Sequence, residues 1–451
     1  MELKHKLLFK ICLIAIFISA LFCNLSFAEL KTTYGAAFRI RHEFWKDHFD
    51  LDNDIKDNRN YFRIKSSIFG SIGEDELDFA EEAVLNLKLT DEFKAYTYLM
   101  STSTPNSDKN KNFNIDEMVV DNLYLDIKGF MDLPLNFRLG RQDFLNTHGE
   151  GFLIMDGTPL DGSRTFYFNA AKATWTVNET NSLDAIYLYQ PKTDDLLPII
   201  NGHNRNTPLA TSDEQGYVVY LRNADIENLN FEPYYIFKQE DSGGARLQAN
   251  SSQINTFGAF AKYKFPEEAI TLRGQLAGQF GEYGSADREA LGGYIFIDKS
   301  FEEEKMSPMI SLGYAYLSGD DESTDEREAW DPLFSRYPWM SEILASTYAA
   351  ESGAGYWTNL QIIKALVSAK PLDKTKLILT YNYLLANEEV TGTYYADGNE
   401  RGHLYTFKTE YTITKDINTS FLAEYFVPGD FYKESSQDEA LFLRTELNIK
   451  F

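Results

Sequence analysis

Along most of this chain apolar and polar residues alternate, the period-two pattern of strands with one dry and one wet face. The last run shows it most clearly. Leu441, Leu443, Thr445, Leu447 and Ile449 fall on one face, Arg444, Glu446, Asn448 and Lys450 on the other, and the chain stops on Phe451. The same reading predicts strands at about 32–44, 58–70, 83–100, 117–129, 133–145, 164–177, 181–191, 213–224 and 228–240. Further strands are predicted at about 252–265, 268–283, 288–301, 305–319, 352–370, 372–387, 402–415, 416–428 and 438–451. That makes about 18, with 16 the nearest alternative, and an even count returns both chain ends to the same side.

The connections alternate too. Short polar turns, such as Asn178 to Asn181, Pro266 to Glu268, Glu302 to Lys305, Lys370 to Lys374 and Thr414 to Asn418, follow even-numbered strands. Long connections, at about 45–57, 101–116, 146–163, 192–212, 320–351 and 388–401, follow odd-numbered ones. Two departures are a longish even-side turn at 71–82 and a short odd-side one at 284–287. Long loops at one rim and short turns at the other are the habit of a transmembrane antiparallel up-and-down β-barrel, with long extracellular loops and short periplasmic turns. The fold class expected is all-β.

The amino terminus agrees. Lys4, Lys6 and Lys10 precede an apolar run from Ile11 to Phe22, and Ser26-Phe27-Ala28 supplies small residues for cleavage, so residues 1–28 read as a signal peptide. Phe22 stands where a lipoprotein leader at Cys23 would want a small residue. Residues 29–451 then form a single barrel domain, and since Cys12 and Cys23 both lie in the leader, it has no thiol for a disulfide or a metal. No later stretch reaches the ~18 apolar residues of a membrane-crossing helix. Aromatics are nonetheless 15% of the chain, 33 Phe and 28 Tyr, at a mean hydropathy of −0.36. Short alternating segments with that much Phe and Tyr suit lipid-facing strands with aromatic girdles.

Net charge is −25 with the leader, which carries three Lys against one Glu, and so −27 without it. That argues against nucleic acid as a partner. The strands say something more local. Phe38 and Ile40 oppose Arg39 and Arg41; Phe62 and Ile64 oppose Arg63 and Lys65; Phe137 and Leu139 oppose Arg138. Val219 and Leu221 oppose Arg222; Tyr235 and Phe237 oppose Lys238; Tyr263 and Phe265 oppose Lys262 and Lys264; Leu272 and Leu276 oppose Arg273. A basic side chain facing lipid costs ~2–4 kcal/mol near mid-bilayer, so these point into the lumen. Glu43, Asp126, Glu232, Glu410 and Glu446 share it. Two readings follow: the charges cross-pair inside a wet barrel, or they form a basic constriction selecting anions. The acid concentrates in loops, at Asp47 to Asp57 and Asp320 to Asp331, where it either binds divalent cations beside lipopolysaccharide or is solvated.

Loop 320–351 carries Trp330, Phe334, Tyr337 and Trp339, which suit a lid packed over the mouth, or else a contact surface. Asp50-Leu-Asp52-Asn-Asp54 lacks the glycine and the closing glutamate of a calcium loop, having Ile55 and Tyr61 there. The six histidines include no zincin spacing, and neither a nucleophile elbow nor a phosphate-cradling glycine loop occurs. No cofactor, metal or catalytic residue is expected, and the chain is read as a non-enzyme.

Several stretches, in order, resemble the alginate-export family of outer-membrane barrels. They are Phe38-Arg-Ile-Arg41, Leu139-Gly-Arg-Gln-Asp143 followed by Gly162-Ser-Arg164-Thr-Phe166, Ser318-Gly-Asp320 with Asp331-Pro-Leu-Phe334, Gly402-His-Leu404, and Ala423 to Phe431. The final strand, closing on Phe451, resembles the insertion strand of such barrels, which the assembly machinery reads. The resemblance implies an outer-membrane channel of eighteen strands whose arginine constriction passes an anionic polysaccharide. By motif position Arg39, Arg41, Arg63, Arg138, Arg141 and Arg164 would line it. Arg141 is out of step with Arg138 and needs a bulge or a rim position to reach the lumen. The expected partners are an anionic solute, outer-membrane lipid and lipopolysaccharide, and the expected state is a monomer. A general porin, an outer-membrane enzyme and an adhesin acting through its loops are the competing classes.

Overall fold

The computed structural model describes residues 30–55, 58–96, 117–145, 147–155, 167–202, 209–210, 212–243, 249–335, 340–352 and 357–451. The leader lies outside them. Strands β1 (Lys31–Lys46), β2 (Arg59–Leu77), β3 (Ala80–Tyr96), β4 (Val119–Lys128) and β5 (Leu135–Gln142) precede a two-residue β6 (Ile154–Met155). Then come β7 (Phe168–Thr176), β8 (Asn181–Gln190), β9 (Glu214–Asn223), β10 (Leu229–Glu240), β11 (Ser252–Phe265), β12 (Ile270–Tyr283), β13 (Ala286–Ser300) and β14 (Met309–Leu317). The two-residue β15 (Phe334–Ser335) and helix α1 (Glu342–Ser352) lead to β16 (Leu360–Leu372), β17 (Thr375–Leu385), β18 (Glu400–Thr414), β19 (Ile417–Pro428) and β20 (Ala440–Lys450).

Eighteen of these strands pair antiparallel, each with its sequence neighbours, and β20 pairs with β1 to close the barrel. Phe451 completes the seam: its N–H donates to the Ala36 carbonyl at 2.8 Å, and Ala36 N–H donates back at 3.3 Å. Closure removes every open edge, the requirement for strands in hydrocarbon. The outer surface presents Ile68, Leu276, Leu312, Leu379, Tyr217 and Phe257, all exposed, as the alternation requires. Inward positions of the same strands hold the charges and a buried apolar cluster.

Each predicted strand has its counterpart, with two shifts. The expected turn at 71–82 is mostly strand, because β2 and β3 continue to a two-residue turn at Asp78-Phe79. Gly70, Ser71 and Gly73 carry no apolar side chain and so hide the period, yet Gly70 still pairs with Leu87 and Gly73 with Val84. The strand expected from 352 starts at Leu360, and the connection expected as loop 320–351 contains nearly all of α1 (Glu342–Ser352). The short odd-side turn is just Gly284-Ser285, with Gly284 at φ +63°, a conformation that suits glycine in a tight hairpin.

Candidate functional site

Cations oppose cations directly across the inward face. Arg39 pairs in register with Lys65 and Arg41 with Arg63. Arg138 faces Lys172, and Lys262 faces Arg273. Like charges directly opposite destabilise a sheet, so each needs a counter-anion. On β1–β5 the sheet supplies it. Glu92 of β3 takes Arg39 and Arg63, each at 2.6 Å. Asp121 takes Lys88 at 2.6 Å and the Thr90 hydroxyl at 2.8 Å. Asp126 binds Arg138 through two bonds of 2.6 and 2.8 Å, and that guanidinium lies 4.4 Å over the Tyr124 ring. Arg41 pairs with Glu446 across the β1–β20 seam. These groups still meet water: the Arg138 side chain is 33% exposed and Arg39 20%.

The remaining predicted residues divide. Arg222 faces inward and pairs with Asp184 at 2.9 Å, while its other nitrogen donates to the Thr147 carbonyl. Lys238 is fully buried, held by Glu240 at 2.8 Å and Asp331 at 3.5 Å and lying over Phe334. It anchors a loop and is out of reach of a solute, which corrects its place in the pathway. Arg141 takes the rim position, the second of its two expected places, but is buried there. β5 pairs with β7 without a bulge, so Arg141 stays on the parity opposite Arg138 and near the rim. There it bonds Asp194 at 2.7 Å and the Val120 carbonyl at 2.8 Å beneath Tyr167. Arg164, Tyr337 and Trp339 lie outside the described residues. Lys88, Lys172 and Lys364 were missed, although Leu87/Leu89, Ala171/Ala173 and Ile363/Ala365 flank them in the telltale alternation. Lys172 and Lys364 have no carboxylate partner among the described residues.

Two loops fold into the barrel against the wall from β7 to β16. In one, Phe152, Leu153 and Ile154 are buried; in the other, Trp330, Leu333 and Phe334 are. Phe152 stacks on Trp330 at 5.5 Å, and β6 pairs in parallel with β15. Trp330 and Phe334 thus pack inward, as a folded-in loop requires. The first loop is fixed by His148, whose Nε2 meets Asp184 at 3.0 Å and whose Nδ1 meets the Thr147 hydroxyl at 2.8 Å. Burial pushes the His148 imidazole below its ordinary value, although Asp184 opposes that.

Helix α1 is fastened at both ends. Ser341 caps the Leu344 N–H at 3.2 Å, and the buried Glu424 of β19 accepts bonds from the Ser341 hydroxyl at 2.6 Å and the Ile343 N–H at 3.1 Å. A carboxylate there also meets the positive end of the helix dipole. At the other end Arg401 grips Glu351 through bonds of 2.9 and 3.0 Å, stacked on Phe431. Arg444 holds Glu342 at 2.5 Å.

No curated protein matches the chain by sequence. The sequence model of the family described as Alginate export matches residues 31–443. In fold the chain is similar to OccAB4 of Acinetobacter baumannii, with a TM-score of 0.57 and 11% identity over 93% of this chain and 98% of that one. OpdK of Pseudomonas aeruginosa, solved with vanillate, gives 0.55 and 9% over 93% and 98%. OccD3 (OpdP) of the same organism gives 0.54 and 10% over 93% and 91%.

Proposed function

The chain belongs to the alginate-export family of outer-membrane barrels, and from that premise we propose that it passes an organic anion bearing carboxylates. An acidic polysaccharide, an oligosaccharide and a smaller carboxylate all fit this chemistry. One observation carries the reading: inward cations stand directly opposite one another at four places, Arg39/Lys65, Arg41/Arg63, Arg138/Lys172 and Lys262/Arg273. A barrel needing only a solvated lumen would gain stability by interleaving signs, so the repeated conflict argues for a retained function. Arginine suits the task, because its planar fork can take a carboxylate in two bonds, and spaced sites let a solute step along. The loop acids left exposed, such as Asp54, Glu322 and Asp325, act through water and are screened beyond ~8–10 Å in physiological salt, whereas lumenal cations act at contact.

The test is the reversal potential of single channels in a planar bilayer under a KCl gradient at ~0.1–0.2 M, where that screening length holds. Anion selectivity is expected. A cation-selective wild type would overturn the reading and favour a general porin governed by its acidic loops.

A further inference from the structure

A second basic group lies on the wall opposite the β1–β5 charges, and a loop carboxylate already occupies it. Its residues form one cross-strand row: Lys262 on β11 is in register with Arg273, Arg273 with Phe296, Phe296 with Gly313, and Gly313 with Lys364 on β16. The Phe296 ring is the common platform, with the Arg273 guanidinium 4.7 Å and the Lys364 ammonium 5.3 Å from its centre. Gly313 makes this possible, since a Cβ there would stand 1.8 Å from the Phe296 ring. Three cations therefore converge in one row. Among the described residues Lys262 and Lys364 have no carboxylate partner, and the acids on Arg273 are Asp298 of β13 and Glu150.

Those two acids differ in kind. Asp298 sits in the sheet and receives Arg273 Nε at 2.9 Å, which orients the guanidinium. Glu150 comes from the inward loop, takes Arg273 Nη1 at 2.5 Å and accepts a bond from the Tyr294 hydroxyl at 3.2 Å. It reaches there on a backbone few residues adopt: Gly149, Glu150 and Gly151 have φ of +52°, +55° and +79°. A non-glycine residue in that region is strained and persists only where its surroundings over-determine it. The loop has no structural need of a carboxylate at its tip, because its fixing points are His148, Phe152 and the β6–β15 pair. The Glu150 side chain remains 34% exposed.

We propose that the Lys262–Arg273–Lys364 row is a carboxylate-binding subsite of the channel, and that Glu150 is its built-in occupant, displaced by the carboxylate of a passing solute. This rests on the anion-channel reading. It adds a site and a competitor: the solute exchanges with Glu150 at Arg273 and leaves when Glu150 returns, so binding never becomes a trap.

The experiment uses the full barrel in a planar bilayer, with D-glucuronate as the probe blocking chloride current. A tethered ligand competes at an effective concentration of order millimolar, so Glu150→Gln should lower the half-blocking concentration several-fold, up to about tenfold. Tyr294→Phe, which removes one bond to Glu150, should shift it in the same direction by less. In a Lys364→Gln background the gain from Glu150→Gln should largely vanish. An unchanged or raised half-blocking concentration in Glu150→Gln overturns the proposal, as does an equal gain in the Lys364→Gln background, which would mark a general field effect. Unchanged block in an anion-selective wild type defeats this inference alone; cation selectivity in the wild type defeats the channel reading beneath it.

Discussion

The two walls of the lumen neutralise their cations differently. On β1–β5 the counter-ions, Glu92, Asp121 and Asp126, are strand residues that move only if the sheet moves. On β11–β16 Arg273 shares its charge between one strand acid, Asp298, and one loop acid, Glu150. The first wall is a fixed track with a permanent charge pattern; the second is adjustable, since a loop side chain can swing away without breaking a ladder bond. A second contrast lies along the loops. Where they meet the β7–β16 wall they bring mostly apolar side chains, with His148, Glu150 and Asp331 the polar exceptions, but where α1 meets β18–β20 they bring Ser341, Glu342 and Glu351 to buried polar partners. A polar clasp is specific in geometry, yet expensive to leave half made.

Removing the loop should move the observables most. Deleting residues 320–351 takes away Trp330, Phe334, β15 and most of α1, and single-channel conductance is expected to rise several-fold while the barrel keeps its heat-modifiable mobility on gels. Unchanged conductance would mean that this loop does not narrow the path. Next, Arg401→Ala strands Glu351 in a buried site, a loss of about 3–5 kcal/mol for breaking one side of such a pair. Because the ladder of β18 is untouched, the result should be protease cleavage in 342–352 with an intact barrel. Arg401→Lys should rescue only in part, lacking the two-pronged grip.

A smaller effect tests the fixed track. Changing Arg39, Arg41 and Arg63 to Gln should reduce anion selectivity without unfolding, read as a reversal potential moved toward zero. No movement would place the selective step on the opposite wall. The smallest effect concerns pH. His148 has a folded pKa below its unfolded value of about 6.5, so its contribution to loop docking is present above that value and is lost as pH falls through the folded pKa. The groups facing it are Asp184, Arg222 and Lys172. Channel noise from the loop that His148 fixes should therefore grow as pH falls below the free-imidazole value of about 6.5, and His148→Gln should flatten that dependence.

Much of this was legible in the sequence because a barrel strand advertises its two solvents residue by residue. Phe38-Arg-Ile-Arg41 and Leu272-Arg-Gly-Gln-Leu276 declare their inner and outer faces by alternation alone. Partners were not legible. Nothing near Arg39 in sequence points to Glu92, and Arg401 finds Glu351 only because a 42-residue connection folds back inside. Helix α1 lies almost wholly within the connection that reads as loop 320–351, and the alternation that predicts the next strand from 352 begins eight residues before β16 does. The fate of Lys238 depends on Asp331, a residue that reads as one more acid in an acidic loop. Like-charge register pairs are visible only once the strands are aligned, and a one-residue slip would erase them.

The seam between β1 and β20 has a consequence in time. Arg41 and Glu446 meet across it although they stand 405 positions apart in the chain, so no shorter piece of the chain can form that contact. Pairings so distant in sequence form late, because the chain entropy they cost is recovered only when the rest is already in place. Until β20 arrives, β1 and β19 present bare ladder edges, the most association-prone surfaces a sheet can have. The ion pair inside the pore thus doubles as a latch on the final step of assembly, and a nascent barrel losing its last eleven residues would be an open ribbon awaiting a wrong partner.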